Sequence, residues 1–281
     1  MTDGSRRRRA SGTAPPGGAR LRAIREQAGR SQLWVEAEAD LGTGYLQRVE
    51  SGRVAQPGRI TVERILAALD ARYSERREVL ELFGYIVATP LPTDDEIAWA
   101  CASCQHELHD VPFPAYVLDC VPRLLAWNRF VPRLLGIADA AAGERVLAGL
   151  AGRSMMQLWF DPASPFGALV AEPDTFLPSL IRALRYEYQR LHPEPWMTEA
   201  ITESARTLPR FRALWAPASQ LPVPISAARA LLPIKLNVPG AGLLQFRLAA
   251  EPFVRDSRFR LIYLMPADAV TMRQCAAWAS E

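Results

Sequence analysis

Residues 31–52, SQLWVEAEADLGTGYLQRVESG, constrain the fold of this chain more than any other stretch. They predict two short helices joined by a tight turn, because apolar residues recur at helical spacing on both sides of a glycine-containing turn. These apolar residues are Val35, Ala39, Leu41, Leu46 and Val49. The spacing is that of a helix-turn-helix, in which the first helix holds the second rigidly against DNA.

The order of residues in this stretch resembles the helix-turn-helix of the XRE/Cro-like repressors. The matching positions are Ser31–Gln32, Ala39, Leu41, Tyr45–Leu46, Arg48–Val49–Glu50 and Gly52. The resemblance implies that Gln32 bonds a phosphate and that the second helix is a recognition helix opened by Thr43 and Gly44. Arginine and glutamine can each make two hydrogen bonds to a base edge. The expected DNA contacts are Gln32, Thr43, Gly44, Tyr45, Gln47, Arg48, Arg53 and Arg59.

Two features depart from the pattern of this family. Glycines flank Thr43, where a longer polar side chain is more usual. Glu36 and Glu38 place negative charge on the first helix of the motif, which we expect to lower non-specific affinity for DNA. The alternative interpretation is a helix-turn-helix that binds protein or has lost DNA binding.

Arg25 and Glu50 form a second expected pair. In the resembled family, an arginine in the preceding helix commonly bonds an acid near the end of the recognition helix. Arg25 lies seven residues before Gln32, which is the offset that the resemblance implies. A partly buried arginine–carboxylate pair of this kind is strong when bidentate, so we interpret it as structural.

Charge and composition divide the 281 residues into regions. Residues 1–18, which include four consecutive arginines, are interpreted as a disordered basic tail, with a DNA-contacting arm as the alternative. Residues 1–86 carry 15 Arg and no Lys against 11 Asp plus Glu, whereas the whole chain has a net charge of only +3. A basic head on a nearly neutral body is typical of a nucleic-acid-binding protein. The predicted domains are a helix-turn-helix domain over 19–86, a linker over 87–94 and a second domain over 95–281.

The periodicity predicts an α+β fold, with an all-α head and a small antiparallel sheet covered by helices. Five helices are expected over 19–86, the last beginning at Ser74 as its cap. The second domain is expected to begin with a helix over 95–108 and a β-hairpin made from AYVLD and RLLAWN. Its later elements are expected to be helices over 130–137, 174–191 and 196–215, then three strands within 233–240, 243–253 and 258–266.

Four segments of the second domain resemble the MmyB-like ligand-binding domain, over roughly 110–272. They are PAYVLD and RLLAWN near its start, FRALWA (211–216), and the closing strand RLIYLMP. The resemblance implies a PAS-like fold that follows an XRE-type head, and a lipid-like or other apolar small molecule as the effector. No cofactor is expected, and a fatty acid or similar apolar molecule is the expected ligand.

The same domain contains a large supply of apolar side chains that such a ligand could contact. The expected ligand-binding residues are Trp127, Phe130, Leu134, Met156, Trp159, Phe160, Leu180, Leu184 and Trp215. The alternative is that these side chains simply fill the core.

Other chemistries have weak support. Cys101, Cys104, His106 and His109 lie within nine residues, but their spacing is unusual for zinc, and we interpret them as small apolar thiols and solvated histidines. No GxSxG, HExxH or phosphate-binding glycine loop occurs. No catalytic or metal site and no enzymatic activity are therefore expected. Apolar runs long enough to span a membrane are lacking, and four cysteines fit the reducing cytosol, so a cytoplasmic location is expected.

These observations predict a sequence-specific, ligand-responsive transcriptional regulator. Its expected partners are double-stranded DNA with a palindromic operator, a small-molecule effector and a second copy of the chain, since one helix-turn-helix reads only part of a site. The alternative is an interaction protein, an antitoxin or a modulator of the transcription machinery, whose second domain binds a protein.

Overall fold

The computed structural model describes residues 16–191, 194–220 and 232–281. The chain divides into two compact units between Ala88 and Thr89. The described part of the first unit consists of five helices, as the sequence predicts: α1 (Pro16–Gln27), α2 (Gln32–Glu38), α3 (Tyr45–Glu50), α4 (Arg59–Ala68) and α5 (Tyr73–Leu82). The expected apolar faces meet in one core, in which Leu21, Val35, Leu46 and Val49 are fully buried.

The first helix begins earlier than the sequence indicates. Residues 1–15 of the predicted tail lie outside the described residues, but 16–18 form the first turn of α1. Gly17 and Gly18 are buried there, and a Cβ at Gly18 would come 2.4 Å from the carbonyl oxygen of Val49. The small residues that suggested disorder therefore permit a close approach of α1 to the end of α3.

The start of α5 also differs from the expectation. The helix begins at Tyr73, so Ser74 is its second residue rather than its cap. The carboxylate of Glu75 accepts a hydrogen bond from the backbone nitrogen of Arg72 at 3.0 Å, which satisfies one of the free N–H groups at this end.

The second unit combines nine helices with five strands among its described residues. The helices are α6 (Asp94–Ser103), α7 (Gln105–Asp110), α8 (Val131–Leu134), α9 (Ala140–Ala148), α10 (Met155–Phe160), α11 (Pro173–Leu191), α12 (Pro195–Thr207), α13 (Pro209–Ala218) and α14 (Ala269–Ser280). The strands are β1 (Ala115–Leu118), β2 (Leu124–Trp127), β3 (Leu232–Val238), β4 (Gly242–Pro252) and β5 (Arg260–Pro266).

The strands form one antiparallel sheet in the order β2-β1-β5-β4-β3. Tyr116 of β1 pairs with Trp127 of β2 on one side and with Ile262 of β5 on the other. Because side chains alternate along a strand, Tyr116 faces the main core under α10–α13, whereas Val117 faces a smaller cluster that includes Leu108 of α7. The α+β expectation, the predicted hairpin of β1 with β2 and the three predicted C-terminal strands are confirmed.

Helix boundaries in this unit depart from the expectation in three places. The helix predicted over 95–108 is interrupted at Cys104, so that α6 and α7 are separate. The helix predicted over 196–215 is divided before Pro209, because proline cannot donate the hydrogen bond that a continuous helix needs. Three helices, α9, α10 and α14, are absent from the sequence-based expectation, and α14 contributes Cys275 and Trp278 to the core.

Candidate nucleic-acid interface and ligand site

Hydrogen bonds at the start of α2 and in the turn after it shape the helix-turn-helix. The hydroxyl of Ser31 accepts a hydrogen bond from the backbone nitrogen of Trp34 at 3.1 Å, which caps α2 as expected. After α2, Asp40 adopts a positive φ of 49°, and the backbone nitrogen of Leu41 bonds back to the carbonyl oxygen of Glu36 at 2.7 Å. The chain therefore turns sharply before α3.

The start of α3 is capped from a distance by Glu36. The residue just before α3, Gly44, has a φ of 77° and no side chain to act as a cap. The carboxylate of Glu36 accepts hydrogen bonds from the backbone nitrogens of Gly44 at 2.9 Å and Leu46 at 2.8 Å. Glu36 is only 3% exposed, so its carboxylate is enclosed within the motif. Of the two acidic residues noted on this helix, only Glu38 is exposed to solvent.

One face of α3 points to solvent. Gln47 and Arg48 on the helix and Thr43 just before it are exposed, while Val49 is fully buried. The guanidinium of Arg48 lies over the ring of Tyr45, 5.7 Å from its centroid, which is a cation–π contact. The exposed side chains on this helix are donors and acceptors of the kind that read base edges.

A buried ion pair holds the other end of α3. The guanidinium of Arg25 donates to both carboxylate oxygens of Glu50, at 2.7 and 3.0 Å. These hydrogen bonds are the main reason that the pKa of Arg25 is raised. The amide nitrogen of Gln32 donates to the same carboxylate at 2.7 Å. Gln32, expected at a phosphate, is therefore fixed by its neighbours with its amide nitrogen already bonded.

Arg53 and Arg59, the two expected DNA-contacting arginines that follow α3, differ in their surroundings. Arg59 pairs with Glu63 at 2.9 Å and also donates to the carbonyl oxygen of Ile86 at 3.1 Å, so part of its charge is compensated. Arg53 is exposed and has no ion pair within the described residues. Arg53 is accordingly the better candidate for a phosphate contact.

Five of the nine predicted ligand residues are deeply buried in the core of the second unit: Phe130, Leu134, Met156, Trp159 and Phe160. Edge-to-face aromatic contacts organise this region. The Trp159 ring lies 5.4 Å from Phe166 and 5.5 Å from Phe176, and Phe160 lies 5.2 Å from Phe211. In this structure, these five side chains pack as a core.

Three other predicted ligand residues, Leu180, Leu184 and Trp215, lie half-buried at the rim of the core. The ring of Trp215 stacks on Phe211 at 5.5 Å and meets the ring of Tyr188 edge-on at 5.5 Å. This rim is formed by side chains of α11 and α13. Partly exposed apolar side chains can move at lower cost than fully buried ones, so this rim is the most adaptable part of the predicted set.

Trp127 lies elsewhere, at an open cleft of about 380 Å³ between β2, α8, α9 and α14. Phe130 and Trp278 also line this cleft. The indole nitrogen of Trp127 donates to Glu144 at 3.0 Å, and Arg133 forms an ion pair with Glu281. The cleft wall thus mixes apolar and paired polar groups, in contrast to the aromatic core.

The cysteine and histidine cluster is dispersed. Cys104 is buried, and burial raises the pKa of its thiol to about 12, whereas the side chains of His106 and His109 are exposed to solvent. Within 16–191, 194–220 and 232–281, no three His, Cys, Asp or Glu side chains are grouped as a metal site would require. Nor does any helix there have the length and apolarity to cross a membrane.

Sequence reasoning missed the contacts that hold the linker against the second unit. Thr89 is bonded through both its backbone groups to the start of α12. The buried guanidinium of Arg258 donates to Asp256 and Glu96 and to the carbonyl oxygen of Pro90. Apart from the pair of Arg258 with Asp256, no local pattern could have indicated these contacts, because the partners lie more than 100 residues apart in the chain.

Comparison with known families agrees with both halves of this description. A family model described as the MmyB-like transcription regulator ligand binding domain matches residues 101–276, and a helix-turn-helix domain model matches residues 18–79. No curated protein matches the chain. The first match covers more than half of the chain and includes the sheet, the aromatic core and most of α14. The chain therefore belongs to the MmyB-like transcription regulators, with an N-terminal helix-turn-helix domain and a C-terminal ligand-binding domain.

Proposed function

We propose that the first unit binds a palindromic operator in double-stranded DNA, and that the second unit binds an apolar, lipid-like small molecule that changes this binding. The observation that carries the proposal is the exposed face of α3, with Thr43, Gln47 and Arg48, on a helix whose two ends are both fixed by buried carboxylates. A rigid helix with a polar outer face is what readout in the major groove requires.

The charges near α3 support a DNA contact. Glu36 and Glu50 are both buried and bonded, so neither carboxylate opposes the phosphates at the surface of this helix. Arg48 and Arg53 are exposed near the same end of the motif. We assign base contacts to Thr43, Gln47 and Arg48 and phosphate contacts to Arg53, with weaker contributions from the remaining predicted residues Gln32, Gly44, Tyr45 and Arg59.

The proposed active form is a homodimer. One helix-turn-helix reads about half a turn of DNA, and two-fold related copies would read half-sites about 34 Å apart. The expected footprint is therefore a palindrome whose half-sites are separated by one helical turn.

The proposed effector site is the aromatic core of the second unit, entered at the rim formed by Leu180, Leu184 and Trp215. This region is almost entirely apolar, and Met156, which is buried within it, has the flexible side chain that adapts to ligand shape. An apolar chain that inserted between Trp215 of α13 and Tyr188 of α11 would shift α13 relative to α11. A ligand changes DNA binding only if it favours one of two arrangements of the protein, and such a shift would provide the second arrangement.

Two measurements test this function. The purified chain would be used to enrich duplexes from a randomised pool at two salt concentrations, and native mass spectrometry would measure any co-purified molecule. We expect one palindromic motif to be enriched, and a bound apolar mass whose removal changes operator affinity. Failure to enrich any motif with a folded protein would refute the DNA-binding proposal. Stable capture of a protein, with no small molecule bound, would instead favour the interaction-protein alternative.

A further inference from the structure

The recognition helix α3 cannot cap its own first turn. The first N–H groups of a helix have no partners within that helix, and a serine, threonine or aspartate side chain usually accepts from them. Here the position before the helix is Gly44, in a left-handed conformation that favours glycine. Gly42 has no side-chain oxygen either, and its backbone carbonyl oxygen already accepts from the nitrogen of Tyr45 at 3.0 Å. The acceptor must therefore come from outside the helix.

The carboxylate of Glu36 is that acceptor, and it spans the turn. One oxygen accepts from the nitrogen of Gly44 and the other from the nitrogen of Leu46. A two-oxygen contact between a side chain on α2 and the backbone of α3 restricts both the distance and the angle between the two helices. The Glu36 side chain has no ion pair within the described residues, so these N–H groups and the positive end of the helix dipole are what stabilise its buried charge.

This arrangement has a consequence for Thr43. A threonine just before a recognition helix commonly uses its hydroxyl to cap that helix. In the described part of the chain, the exposed Thr43 hydroxyl makes no hydrogen bond, since Glu36 already satisfies the neighbouring N–H groups. The hydroxyl is therefore available to a base edge or a phosphate.

We propose that Glu36 is a positioning residue for DNA recognition: its buried carboxylate sets the orientation of α3 and leaves Thr43 available for contact with DNA. The inference rests on the proposed DNA-binding function and deepens it. It assigns to an acidic residue, within a DNA-binding motif, a role that increases sequence discrimination. Removal of this negative charge is accordingly expected to weaken specific binding, which is opposite to the simple electrostatic effect.

The test compares three variants of the full chain. Glu36→Gln keeps the length of the side chain and removes its charge, Glu36→Asp keeps the charge and shortens the reach by one methylene, and Glu38→Gln is the matched control on the exposed face of α2. Each is titrated with the duplex that the wild-type chain enriches and with a random duplex at the same salt concentration. Hydrogen exchange of the Gly44 and Leu46 amides is measured in parallel.

Both Glu36 variants are expected to lose about tenfold in affinity for the enriched duplex, which corresponds to loss of one helix cap. Their affinity for the random duplex should change no more than that of Glu38→Gln. The amides of Gly44 and Leu46 should exchange faster in both Glu36 variants only, whereas the helical circular dichroism signal should be retained. If Glu36→Asp kept its affinity while Glu36→Gln lost affinity, the inference would be contradicted, because a negative charge at this position would then be sufficient without the reach of the glutamate side chain.

Several results would overturn the inference while leaving the proposed function intact. These are wild-type affinity in both Glu36 variants, unchanged exchange at Gly44 and Leu46, equal losses on both duplexes, or loss of the helical signal, which would make Glu36 a folding residue only. If the wild-type chain itself enriches no sequence, the proposed function fails and the inference fails with it.

Discussion

Trp196 at the start of α12 donates its indole N–H to the carbonyl oxygen of Thr89 at 2.6 Å. The carboxylate of Glu194, two residues earlier, accepts from the backbone nitrogen of the same Thr89 at 2.6 Å. Both backbone groups of the first residue of the second unit are thus held by one helix end. The adjoining α11 carries part of the proposed ligand rim, so a displacement of this region would reach the linker directly.

Glu194→Ala should loosen the linker. The Thr89 nitrogen would lose its acceptor while remaining largely buried, and an unsatisfied buried N–H costs about 1–3 kcal/mol. Hydrogen exchange of peptides covering 86–96 should therefore become faster than in the wild type. Glu199→Ala, on the exposed side of the same helix, is the control. Equal exchange in the two variants would show that the bond to Thr89 does not hold the linker.

Breaking the buried pair that secures α3 should be strongly destabilising. Arg25→Met leaves the Glu50 carboxylate buried without its cation, and such a loss typically lowers the free energy of unfolding by about 3–5 kcal/mol. The double variant with Glu50→Leu should recover part of the loss, because no charge is then left uncompensated. Urea denaturation of the full chain measures both, with Arg22→Met at an exposed pair as the control that should change little. If the double variant lost as much free energy of unfolding as the two single variants added together, a direct pair between Arg25 and Glu50 would be contradicted.

Arg48 and Arg53 are expected to give different DNA-binding signatures. Arg48→Ala should weaken binding to the enriched duplex by about 1–3 kcal/mol and relax the preference at one base pair. Arg53→Ala should weaken binding about equally on all duplexes and reduce the salt slope by about one unit. Titrations of specific and random duplexes at two salt concentrations separate the two patterns. Unchanged affinity of Arg48→Ala on both duplexes would remove Arg48 from the site.

The location of the ligand can be tested with two tryptophans that lie half-buried at different places. Trp215 belongs to the rim of the aromatic core, whereas Trp127 lines the open cleft. If the core is the effector site, Trp215→Ala should reduce the bound apolar mass seen by native mass spectrometry, and Trp127→Ala should leave it unchanged. The reverse result would move the effector site to the cleft.

Two buried thiols predict how stability depends on pH. Burial raises the pKa of Cys104 and of Cys120 to about 12, whereas a thiol in an unfolded chain titrates near about 8.5. The folded state therefore retains protons that the unfolded state releases, and this contribution to stability is complete below about pH 8.5 and declines as the pH rises towards 12. The double Cys104→Ala, Cys120→Ala variant should show a shallower loss of stability over that interval in urea denaturation. If the wild type and the double variant showed the same pH dependence, the predicted contribution of these thiols would be contradicted.

Local patterns were sufficient for much of this protein. The two helices of the motif, the Ser31 cap and the β-hairpins follow from apolar spacing, capping residues and turn residues that lie close together in the chain. The family resemblances added the PAS-like domain and the pairing of Arg25 with Glu50 across 25 residues. The helix predicted over 196–215 runs through Pro209, whereas in the structure the chain divides before this proline into α12 and α13.

What the sequence by itself determined is therefore the set of elements and the identity of the two domains. The tertiary structure decided which polar groups are available and which are already bonded. Glu36 resembles any surface acid until α3 is placed beside it, Gly17 and Gly18 resemble a flexible tail until α1 packs against α3, and Thr89 finds its partners 105 and 107 residues away. Local propensity acts over a few residues, whereas burial and hydrogen-bond satisfaction depend on every segment that the fold brings into contact.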